Sequence, residues 1–432
     1  MVGLKSDCGT TTDKALFCQT SENYKATCVD LFAGCGGLSL GLERAGFRPV
    51  LFSELNKDAG NTYLANRKSI NDLDRYGNIY NLNNHRLSCL RKTWGEIDLV
   101  AGGPPCQGFS GIGHRRTHHV DKRDIPSNHL YEEMIRVIRK LQPKVFLFEN
   151  VRGLLTSKWD DTGMRIWPDV LSAFSALNRY TVRFSLVKSY NYGVPQNRPR
   201  VLLIGVKNSI LPRHKSSYDQ DAITAGLLPG KTADPPDLET LLDDLVDPDY
   251  ITSGLVTKNY KHNWLNPIQQ NYRENHDLSI SLKLGHVLQE QEYSKHNNDV
   301  QEKFQFMIDN NSRSMRDLPQ RFRTNKFSQR LLPNRWEEVG GKPNMTATSL
   351  PDDYIHYSQP RTLTVREWAR LQGFPDWYEF CGKRTTGGAR RAGNPNEGNW
   401  DREVPKYTQI GNAVPVPLAE AVGNHILEKF IK

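Results

Sequence analysis

Residues 26–37 of the chain, ATCVDLFAGCGG, decide the fold, because a short apolar run ends directly in a cluster of glycines. The apolar part, Ala26–Phe32, has the length and composition of a buried parallel strand. The glycines allow the backbone to approach a ligand closely, and the helix predicted next, Leu38–Arg44, offers free N–H groups at its start. This stretch therefore predicts the first strand, turn and helix of an α/β domain with a ligand-binding turn.

Apolar runs of strand length recur along the rest of the chain. Three of them, separated by room for helices, predict further strands of a parallel sheet: Arg48–Ser53, Asp98–Ala101 and Val145–Phe148. Two later runs, Val182–Lys188 and Arg200–Val206, flank a turn-rich segment and predict an antiparallel hairpin at the far edge of that sheet. Helical patterns cover Leu130–Leu141, Arg361–Leu371 and a segment that starts near Pro417. The order of these elements predicts an α/β fold.

Composition excludes several classes of protein. The chain has 432 residues, of which 37% are hydrophobic and 24% charged, which is enough for two or three domains with buried cores. Its apolar runs are far shorter than the ~20 residues that cross a bilayer, and its N-terminus lacks the apolar stretch of a secretory signal. We therefore expect a cytoplasmic protein without a membrane partner. The formal net charge of +9 favours a polyanionic partner but does not identify one.

The cysteines do not form a familiar metal or redox motif. The seven of them lie at positions 8, 18, 28, 35, 89, 106 and 381, and no two form a C-x-x-C pair. A zinc ribbon or a thioredoxin-like site is therefore not expected, and we predict no bound metal. Scattered reduced thiols in a cytoplasmic protein are the simplest interpretation.

One cysteine, Cys106, lies in an unusual segment, GGPPCQGFS, which covers residues 102–110 directly after a predicted strand. Two glycines and two prolines fix an irregular turn at the carboxyl end of the strand, where open α/β sheets place their sites. A partly exposed cysteine near a helix start favours the thiolate, which is the nucleophilic form. The segment indicates a nucleophile, with a structural loop cysteine as the alternative.

Two further clusters carry charged groups. Glu149 follows a predicted buried strand, where poor solvation raises the pKa of a carboxyl group so that it can share a proton with a ring nitrogen; a helix cap is the alternative. Arg198 and Arg200, in the segment QNRPR, can steer a base carbonyl, a phosphate or the loop that carries the nucleophile; exposed surface charge is the alternative.

The glycine turn and a carboxylate, Glu54, at the end of the second strand favour a nucleoside ligand. A carboxylate about 20 positions after such a turn suits ribose hydroxyls. Residues 34–37 follow the pattern Gly-x-Gly-Gly, so the G-x-G-x-x-G pattern of dinucleotide sites is not met. A nucleoside with a small charged tail is therefore favoured over a pyrophosphate. A nicotinamide enzyme, or a glycine turn used only for packing, is the alternative.

Taken in order, six segments resemble the cytosine-C5 DNA methyltransferase family: DLFAGCGG, GGPPCQGFS, ENV, QNRPR, RTLTVREWARLQGFPD and QIGNAVPVPLA. The resemblance covers roughly residues 26–206 and 345–425. It implies an α/β fold with a Rossmann-like sheet that binds S-adenosylmethionine, and a second, smaller and irregular target-recognition domain. The implied parts are a flexible tail at 1–24, a catalytic and cofactor-binding domain at 25–207, a target-recognition domain at 208–403 with its variable region at about 208–345, and a returning C-terminal segment at 404–432.

The resemblance also implies roles for individual residues. Cys106 would be the nucleophile, Glu149 would bind the cytosine ring, and Arg198 and Arg200 would hold the base and the active-site loop. The residues implied to bind S-adenosylmethionine, and its product S-adenosylhomocysteine, are Asp30, Phe32, Gly34, Cys35, Gly36, Gly37, Glu54, Leu55, Asn78, Pro104, Asn412 and Val414. The candidates for DNA contact are Gln107, Ser110, Arg115, Arg116, Arg123, Tyr260, Lys261, Arg321 and Arg323. Tyr260 and Lys261 are candidates because the strip at 258–264 mixes cations with aromatic and amide side chains, and an ordinary loop is the alternative there and at Arg321 and Arg323.

Three positions depart from the pattern of the family. Asn78 stands where an acidic residue is usual, and Leu55 stands where an aromatic side chain often stacks on adenine. Ser127 stands where an arginine is often found, so one phosphate contact is either missing or supplied by Arg115, Arg116 or Arg123. None of these positions concerns the bond-making atoms.

The activity that the resemblance implies is methyl transfer to C5 of a cytosine that has been rotated out of duplex DNA. One short variable region and only 24 residues before the catalytic domain favour a stand-alone prokaryotic modification enzyme, either paired with a restriction endonuclease or an orphan. We expect it to be a monomer. Its cognate restriction endonuclease would be a genetic rather than a physical partner. An RNA cytosine-5 methyltransferase is the nearest alternative, although the Cys-Phe-Thr signature of that branch is missing. A second alternative is a non-catalytic DNA-binding protein on the same scaffold.

Overall fold

The computed structural model describes residues 24–105, 125–159, 163–211, 223–250, 252, 254–323, 329–348, 350–386 and 403–431. Its centre is a sheet of seven strands: β1 Ala26–Leu31, β2 Phe47–Ser53, β3 Asp74–Tyr76, β4 Leu99–Gly102, β5 Val145–Val151, β6 Tyr180–Lys188 and β7 Pro199–Lys207. The strand order is β3-β2-β1-β4-β5-β7-β6, and β7 runs antiparallel to both of its neighbours. The predicted parallel sheet with an antiparallel hairpin at its far edge is thereby confirmed. The predicted tail lies outside the described residues except for Tyr24.

The α-helices of the described residues fall into three groups. Five accompany the sheet: α1 Gly37–Ala45, α2 Lys57–Ala65, α3 Asn84–Trp94, α4 Leu130–Leu141 and α5 Ile166–Ser175. Four lie between the end of β7 and residue 386: α6 Leu238–Leu242, α7 Pro267–Arg273, α8 Asn298–Asp309 and α9 Val365–Leu371. Two follow at the C-terminal end: α10 Lys406–Asn412 and α11 Val416–Ile426.

Side chains that point alternately to the two faces of the sheet are buried on both of them. Phe146 and Phe148 of β5 pack with apolar residues of α3, α4 and α5 on one face. Val145 and Leu147 of the same strand pack with α1 and α11 on the other face. Successive side chains of a strand point to opposite faces, so a strand without polar alternation belongs at the centre of a three-layer α/β fold.

The register of the parallel strands brings their carboxyl ends to one edge of the sheet. Leu31 at the end of β1 is aligned with Ser53 of β2 and with Gly102 of β4, and Gly102 is aligned with Phe148 of β5. The strand order reverses between β1 and β4, and such a switch point is where open α/β sheets bind ligands. The segments DLFAGCGG and ENV and the first residues of GGPPCQGFS therefore lie at this edge.

The described residues between 223 and 386, which we call the second lobe, have little regular structure. Its strands have two residues each and form two small sheets: β8 Glu274–Asn275 with β9 Ile280–Ser281, and β10 Arg330–Leu331 with β11 Tyr354–Ile355. Its main apolar core joins α6, α9 and the aromatic residues around Phe374 to Tyr407 and Ile410 of α10. The sparse periodicity of the sequence in this region matches the sparse helices and strands. The domain boundaries within it remain a prediction.

Helix α11 brings the C-terminal segment back to the first helix of the sheet. A Cβ added to Gly41 of α1 would lie 2.5 Å from Cβ of Ala419, so the two helices touch through a residue without a side chain. The helix predicted near Pro417 is confirmed, and α9 begins at Val365 rather than at Arg361. Thr364 caps α9 in a capping box with Glu367, which explains the later start.

Among the described residues, no helix combines the length and the apolar character that a bilayer-spanning segment needs.

Candidate active site

The predicted nucleophile loop begins at the carboxyl edge of the sheet. Cys106 and the DNA-contact candidates Gln107, Ser110, Arg115, Arg116 and Arg123 lie outside the described residues. The residues just before them leave β4, and Nδ2 of Asn150 donates a hydrogen bond to the buried Pro104 carbonyl at 3.1 Å. Oδ1 of Asn150 accepts from the amide of Val151 at 2.8 Å. The start of the loop is therefore tied to the end of β5.

Glu149 and Arg200 form a buried ion pair at that end of β5. Nε of Arg200 lies 2.8 Å from Oε1 of Glu149, and their side chains are 10% and 12% exposed. Burial raises the pKa of Glu149, and the positive charges of Arg200 and Arg198 offset part of that rise. A Cβ added to Gly103 would lie 3.0 Å from the other carboxylate oxygen. The carboxylate therefore lies against the backbone that leads to Cys106.

Arg198 has a different environment from Arg200, because backbone carbonyls take up its guanidinium group. Its Nη1 donates to the carbonyl of Ala347 at 2.7 Å, and its Nη2 donates to those of Gly411 at 2.6 Å and Ala413 at 3.2 Å. Burial and then the charge of Arg200 lower the pKa of Arg198. Arg198 therefore joins the start of β7 to the second lobe and to the end of α10, whereas Arg200 makes the ion pair.

Gln196, which the sequence reasoning did not single out, reinforces the same junction. Its Nε2 donates to the carbonyl of Leu371 at 2.6 Å and to Oε1 of Gln372 at 3.0 Å. Its Oε1 accepts from the amide of Ala347 at 2.7 Å. Gln372 in turn donates to the carbonyl of Ile410 at 2.7 Å. The two glutamines thus link the end of α9 with the segment between β6 and β7 and with α10.

Backbone amides fix Glu54 beside the glycine turn. Oε2 of Glu54 accepts from the amide of Gly34 at 2.9 Å, and Oε1 accepts from the amide of Asn56 at 2.7 Å. Burial raises the pKa of Glu54, and these two hydrogen bonds offset part of the rise. Each oxygen keeps a further acceptor position. The carboxylate can therefore accept hydroxyl groups of a ligand while it stays in place.

The turn after β1 is strained and borders open space. Phe32 has a φ of 60°, which is a costly left-handed conformation for a residue with a side chain and is typical of ligand sites. Gly34 has a φ of 57°, and a Cβ placed there would meet no atom within 4 Å. A Cβ on Gly36 would instead lie 2.8 Å from Nη1 of Arg67 and from the hydroxyl of Tyr378. Gly34 thus faces a space that a ligand can fill, and Gly36 faces protein.

Two of the predicted cofactor residues, Asp30 and Cys35, are buried beneath this turn. Asp30 is 0% exposed, and its Oδ2 accepts from Oγ of Ser39 at 2.6 Å. Burial raises the pKa of Asp30 to about 7. Cys35 is 1% exposed, and its Sγ lies 3.4 Å from the carbonyl of Gln409. Both side chains are therefore enclosed beneath the turn, and a role of Asp30 and Cys35 in cofactor binding stays a prediction.

The other predicted cofactor residues lie at the surface or near the turn. Leu55 is 75% exposed. Asn78 is exposed, and its Oδ1 accepts from the amide of Tyr80 at 3.0 Å, which caps a short 3₁₀ helix. Asn412 is the exposed last residue of α10. A Cβ on Gly37 would lie 2.5 Å from the carbonyl of Val414, so the C-terminal segment reaches the turn.

Comparison with known sequences identifies the family. The model of the C-5 cytosine-specific DNA methylase domain matches residues 26–428. The chain belongs to the C-5 cytosine-specific DNA methylase family. As a member of this family it is a DNA cytosine-5 methyltransferase, and a methyltransferase of this kind acts on DNA and uses S-adenosylmethionine.

Individual relatives match the methylase over most of its length. It is 30% identical over 410 residues to the type II methyltransferase M.DdeI of Desulfomicrobium norvegicum, with 92% of this chain and 88% of the relative covered. It is 30% identical over 409 residues to the type II methyltransferase M1.HphI of Haemophilus parahaemolyticus, with 93% and 87% covered. A solved E. coli structure described as a putative DNA modification methyltransferase encoded within a prophage has a TM-score of 0.63 at 25% identity, with 94% and 99% covered.

Four DNA-contact candidates of the methylase lie in its described residues. Lys261, Arg321 and Arg323 are exposed; Arg321 pairs with Glu302 at 2.9 Å. Tyr260 is 2% exposed, and its hydroxyl donates to a carboxylate of the second lobe at 2.7 Å. Its ring belongs to the apolar core, and contact between Tyr260 and DNA stays a prediction.

Helix α9 of the methylase carries a buried ionic network that the sequence reasoning missed. Arg370 bonds to both Asp244 and Asp376, with Nη2 2.9 Å from Oδ2 of Asp244 and Nε 2.9 Å from Oδ1 of Asp376. Arg273 lies 3.0 Å from the same Asp244, and all of these charged side chains are 0% exposed. Charged residues in a helix usually predict a solvent face, whereas all seven residues of α9 are buried.

No group of three histidine, cysteine, aspartate or glutamate side chains is placed to hold a metal within the part of the chain that the structure describes.

Proposed function

We propose that this methylase transfers a methyl group from S-adenosylmethionine to C5 of a cytosine in a specific duplex DNA sequence, through a transient bond between Cys106 and C6 of the base. The observation that carries the proposal is the pair of Glu149 and Arg200, which lies against the backbone at Gly103. A carboxyl group, a guanidinium group and the start of the cysteine loop thus share one edge of the sheet.

The proposed chemistry needs a nucleophile because C5 of cytosine does not take a methyl group unaided. The thiolate of Cys106 adds to C6, which breaks the aromaticity of the ring and places electron density on C5. Glu149 donates its proton, or a hydrogen bond, to N3 and so stabilises the adduct; Arg200 holds the carboxyl group in position. After methylation, loss of the C5 proton and departure of the Cys106 sulfur restore the aromatic ring.

The turn after β1 fits S-adenosylmethionine. The open space beside Gly34, the strained Phe32 and the fixed carboxylate of Glu54 suit a nucleoside with a charged tail. We propose that Glu54 accepts the ribose hydroxyls and that Phe32, Leu55 and the segment at Asn412 line the pocket. The bound cofactor supplies the electrophilic methyl group that the activated base takes.

The proposed reaction also requires that the protein bind duplex DNA and expose the target base. A stacked base cannot reach the site, so the cytosine is rotated out of the duplex at a cost of a few kcal/mol. We propose that the segment containing Gln107, Ser110, Arg115, Arg116 and Arg123 closes over it, and that lysines and arginines bind phosphates, so affinity falls steeply with salt. Residues 208–345 would read the bases.

We further propose a monomeric bacterial enzyme in the cytoplasm that serves a restriction–modification system, with the nuclease as a genetic partner. The named relatives that are type II methyltransferases support this proposal.

The experiment that tests this function compares methyl transfer to DNA with methyl transfer to RNA. The purified protein is given S-adenosylmethionine labelled in its methyl group, together with duplex plasmid DNA or with tRNA. We expect label in DNA alone, and bisulfite sequencing should place it at cytosines within one recurring sequence. The variant Cys106→Ser should bind DNA without methylating it. Label in tRNA alone would instead favour an RNA methyltransferase, and binding without any transfer would favour a non-catalytic DNA-binding protein.

A further inference from the structure

Three aliphatic side chains of the second lobe are unusually exposed and lie on two neighbouring loops. Leu265, Leu284 and Val287 are 63%, 55% and 67% exposed. We call residues 258–265 and 283–287 together the double-loop ridge. Exposed apolar side chains gathered on neighbouring loops favour a surface that binds a partner.

Hydrogen bonds hold the two loops of the double-loop ridge together. Oδ1 of Asn263 accepts from the amide of Leu284 at 3.0 Å, and Nδ2 of Asn259 donates to the carbonyl of Gly285 at 2.6 Å. The amide of Tyr260 donates to the carbonyl of His286 at 3.0 Å. The apolar side chains are therefore presented on a single paired element.

Arg273 fixes the base of the double-loop ridge from inside the lobe. Its Nε donates to the carbonyl of Leu282 at 2.7 Å and its Nη1 donates to that of His262 at 3.0 Å, so one buried side chain holds both loops. Nη1 also lies 3.0 Å from Asp244, which bonds to Arg370 of α9. The ridge is therefore anchored to the helix whose end contacts Gln196 beside the active-site residues.

The charges of the double-loop ridge select the class of partner. Lys258, Lys261 and Lys283 are exposed on it, and none of them forms an ion pair with a carboxylate in the described parts of the chain. A partner that satisfies this surface combines negative charge with an apolar group. Duplex DNA has that arrangement, because phosphates flank a major groove whose only apolar group is the C5-methyl of thymine.

We propose that the double-loop ridge enters the major groove and that Leu265, Leu284 and Val287 contact thymine methyl groups, so that the target sequence contains A·T pairs recognised through those methyls. The inference rests on the proposed function and specifies what its recognition surface reads. Each methyl group removed from such a contact should lower kcat/KM about fourfold, from the usual free energy of burying one methyl-sized group.

The experiment uses two versions of one duplex that differ only in these methyl groups. The same plasmid sequence is amplified with thymidine or with deoxyuridine, which pairs identically but lacks the methyl, and kcat/KM is measured for methyl transfer to each. We expect a value at least fourfold lower on the deoxyuridine DNA. In Leu284→Ala, Leu265→Ala or Val287→Ala the ratio between the two DNAs should fall towards one. Leu186→Ala, at a position 39% exposed on β6, is the matched control and should keep the wild-type ratio.

Three other results would contradict either the inference or the proposed function. Equal rates on the two DNAs for the wild-type protein would overturn the inference and leave the proposed function standing. Failure to methylate either DNA would overturn the proposed function, and the inference with it. If Leu284→Ala abolished self-association in sedimentation experiments without changing the thymine dependence, the ridge would bind a second copy of the chain and the inference would be wrong. Thermal unfolding of each variant shows whether its fold is intact.

Discussion

Nε of Arg200 lies 2.8 Å from Oε1 of Glu149 at the end of β5. Two effects on the protonation of Glu149 oppose each other. Burial favours the neutral carboxyl group, whereas the guanidinium group of Arg200 favours the carboxylate. A carboxyl group in this balance can give up a proton to a ring nitrogen and take it back.

This balance predicts the pH dependence of methyl transfer. In the proposed mechanism protonated Glu149 is the form that donates, so kcat should fall as the pH rises through its pKa, which lies above the ordinary value. Arg200→Gln removes the positive charge that lowers this pKa, so the decline should move to higher pH. Glu149→Gln should remove the decline and reduce kcat at least about 100-fold. A decline at the same pH in Arg200→Gln would contradict the assigned role; single-turnover rates between pH 5.5 and 9 provide the measurement.

Gly34 and Gly36 should respond differently to alanine, although only one residue separates them. In Gly34→Ala the new Cβ enters the open space of the turn, so S-adenosylmethionine should bind at least about 10-fold more weakly while stability falls by only about 1 kcal/mol. In Gly36→Ala the Cβ would meet Arg67 and Tyr378, and stability should fall by about 2–4 kcal/mol. Calorimetric titration and urea unfolding measure the two effects, and equal cofactor affinity in Gly34→Ala and wild type would be evidence against the pocket.

Asp30 should make the fold less stable as the pH rises. Its pKa is about 7 in the fold, above the usual 3.8, so the fold favours the neutral carboxyl group. The resulting stability is present at low pH and is lost as the pH rises towards and through 7. Asp30→Asn keeps an acceptor for Ser39 without a charge, so it should be more stable than wild type at pH 8, by at most about 4 kcal/mol. The advantage should shrink by pH 5.5 in urea unfolding, and a constant difference would contradict it.

Removal of a buried arginine of the second lobe should destabilise the protein far more than removal of an exposed one. Arg370→Ala leaves Asp244 and Asp376 buried without a cation and should cost about 3–5 kcal/mol of stability. Arg321→Ala removes an ion pair at the surface and should cost less than about 1 kcal/mol. If Arg321 contacts a phosphate, its removal should also lower the salt dependence of DNA binding by about one unit of slope. Similar unfolding midpoints for the two variants would argue against the buried network.

The central sheet could be predicted from the sequence because each of its main strands has a recognisable local residue pattern. Continuous apolar runs such as Val145–Phe148 belong to strands buried on both faces, and turns rich in glycine or proline mark their carboxyl ends. Glu54 and Glu149 could be assigned to one edge of the sheet for the same reason. Helix α2 was not anticipated, since its apolar face is short and its asparagine N-cap, Asn56, is a weak signal.

The second lobe could not be predicted in the same way, because its contacts join residues far apart in the chain. Tyr260 was a candidate for DNA contact, whereas its buried hydroxyl donates to Asp376, 116 residues away in the sequence. Likewise the guanidinium group of Arg198 is directed to carbonyls 149 and 213 residues away. Local periodicity carries no information about such partners.

The central claim, covalent catalysis by Cys106, is tested most directly by trapping. Once bisulfite sequencing has located the methylated cytosine, a duplex with 5-fluorocytosine at that position is incubated with the protein and S-adenosylmethionine. Because the fluorine cannot leave as the C5 proton does, the adduct should persist, and mass spectrometry of the digested complex should find the nucleotide attached to Cys106. A duplex that is bound but never attached, or attached at another residue, would contradict the mechanism.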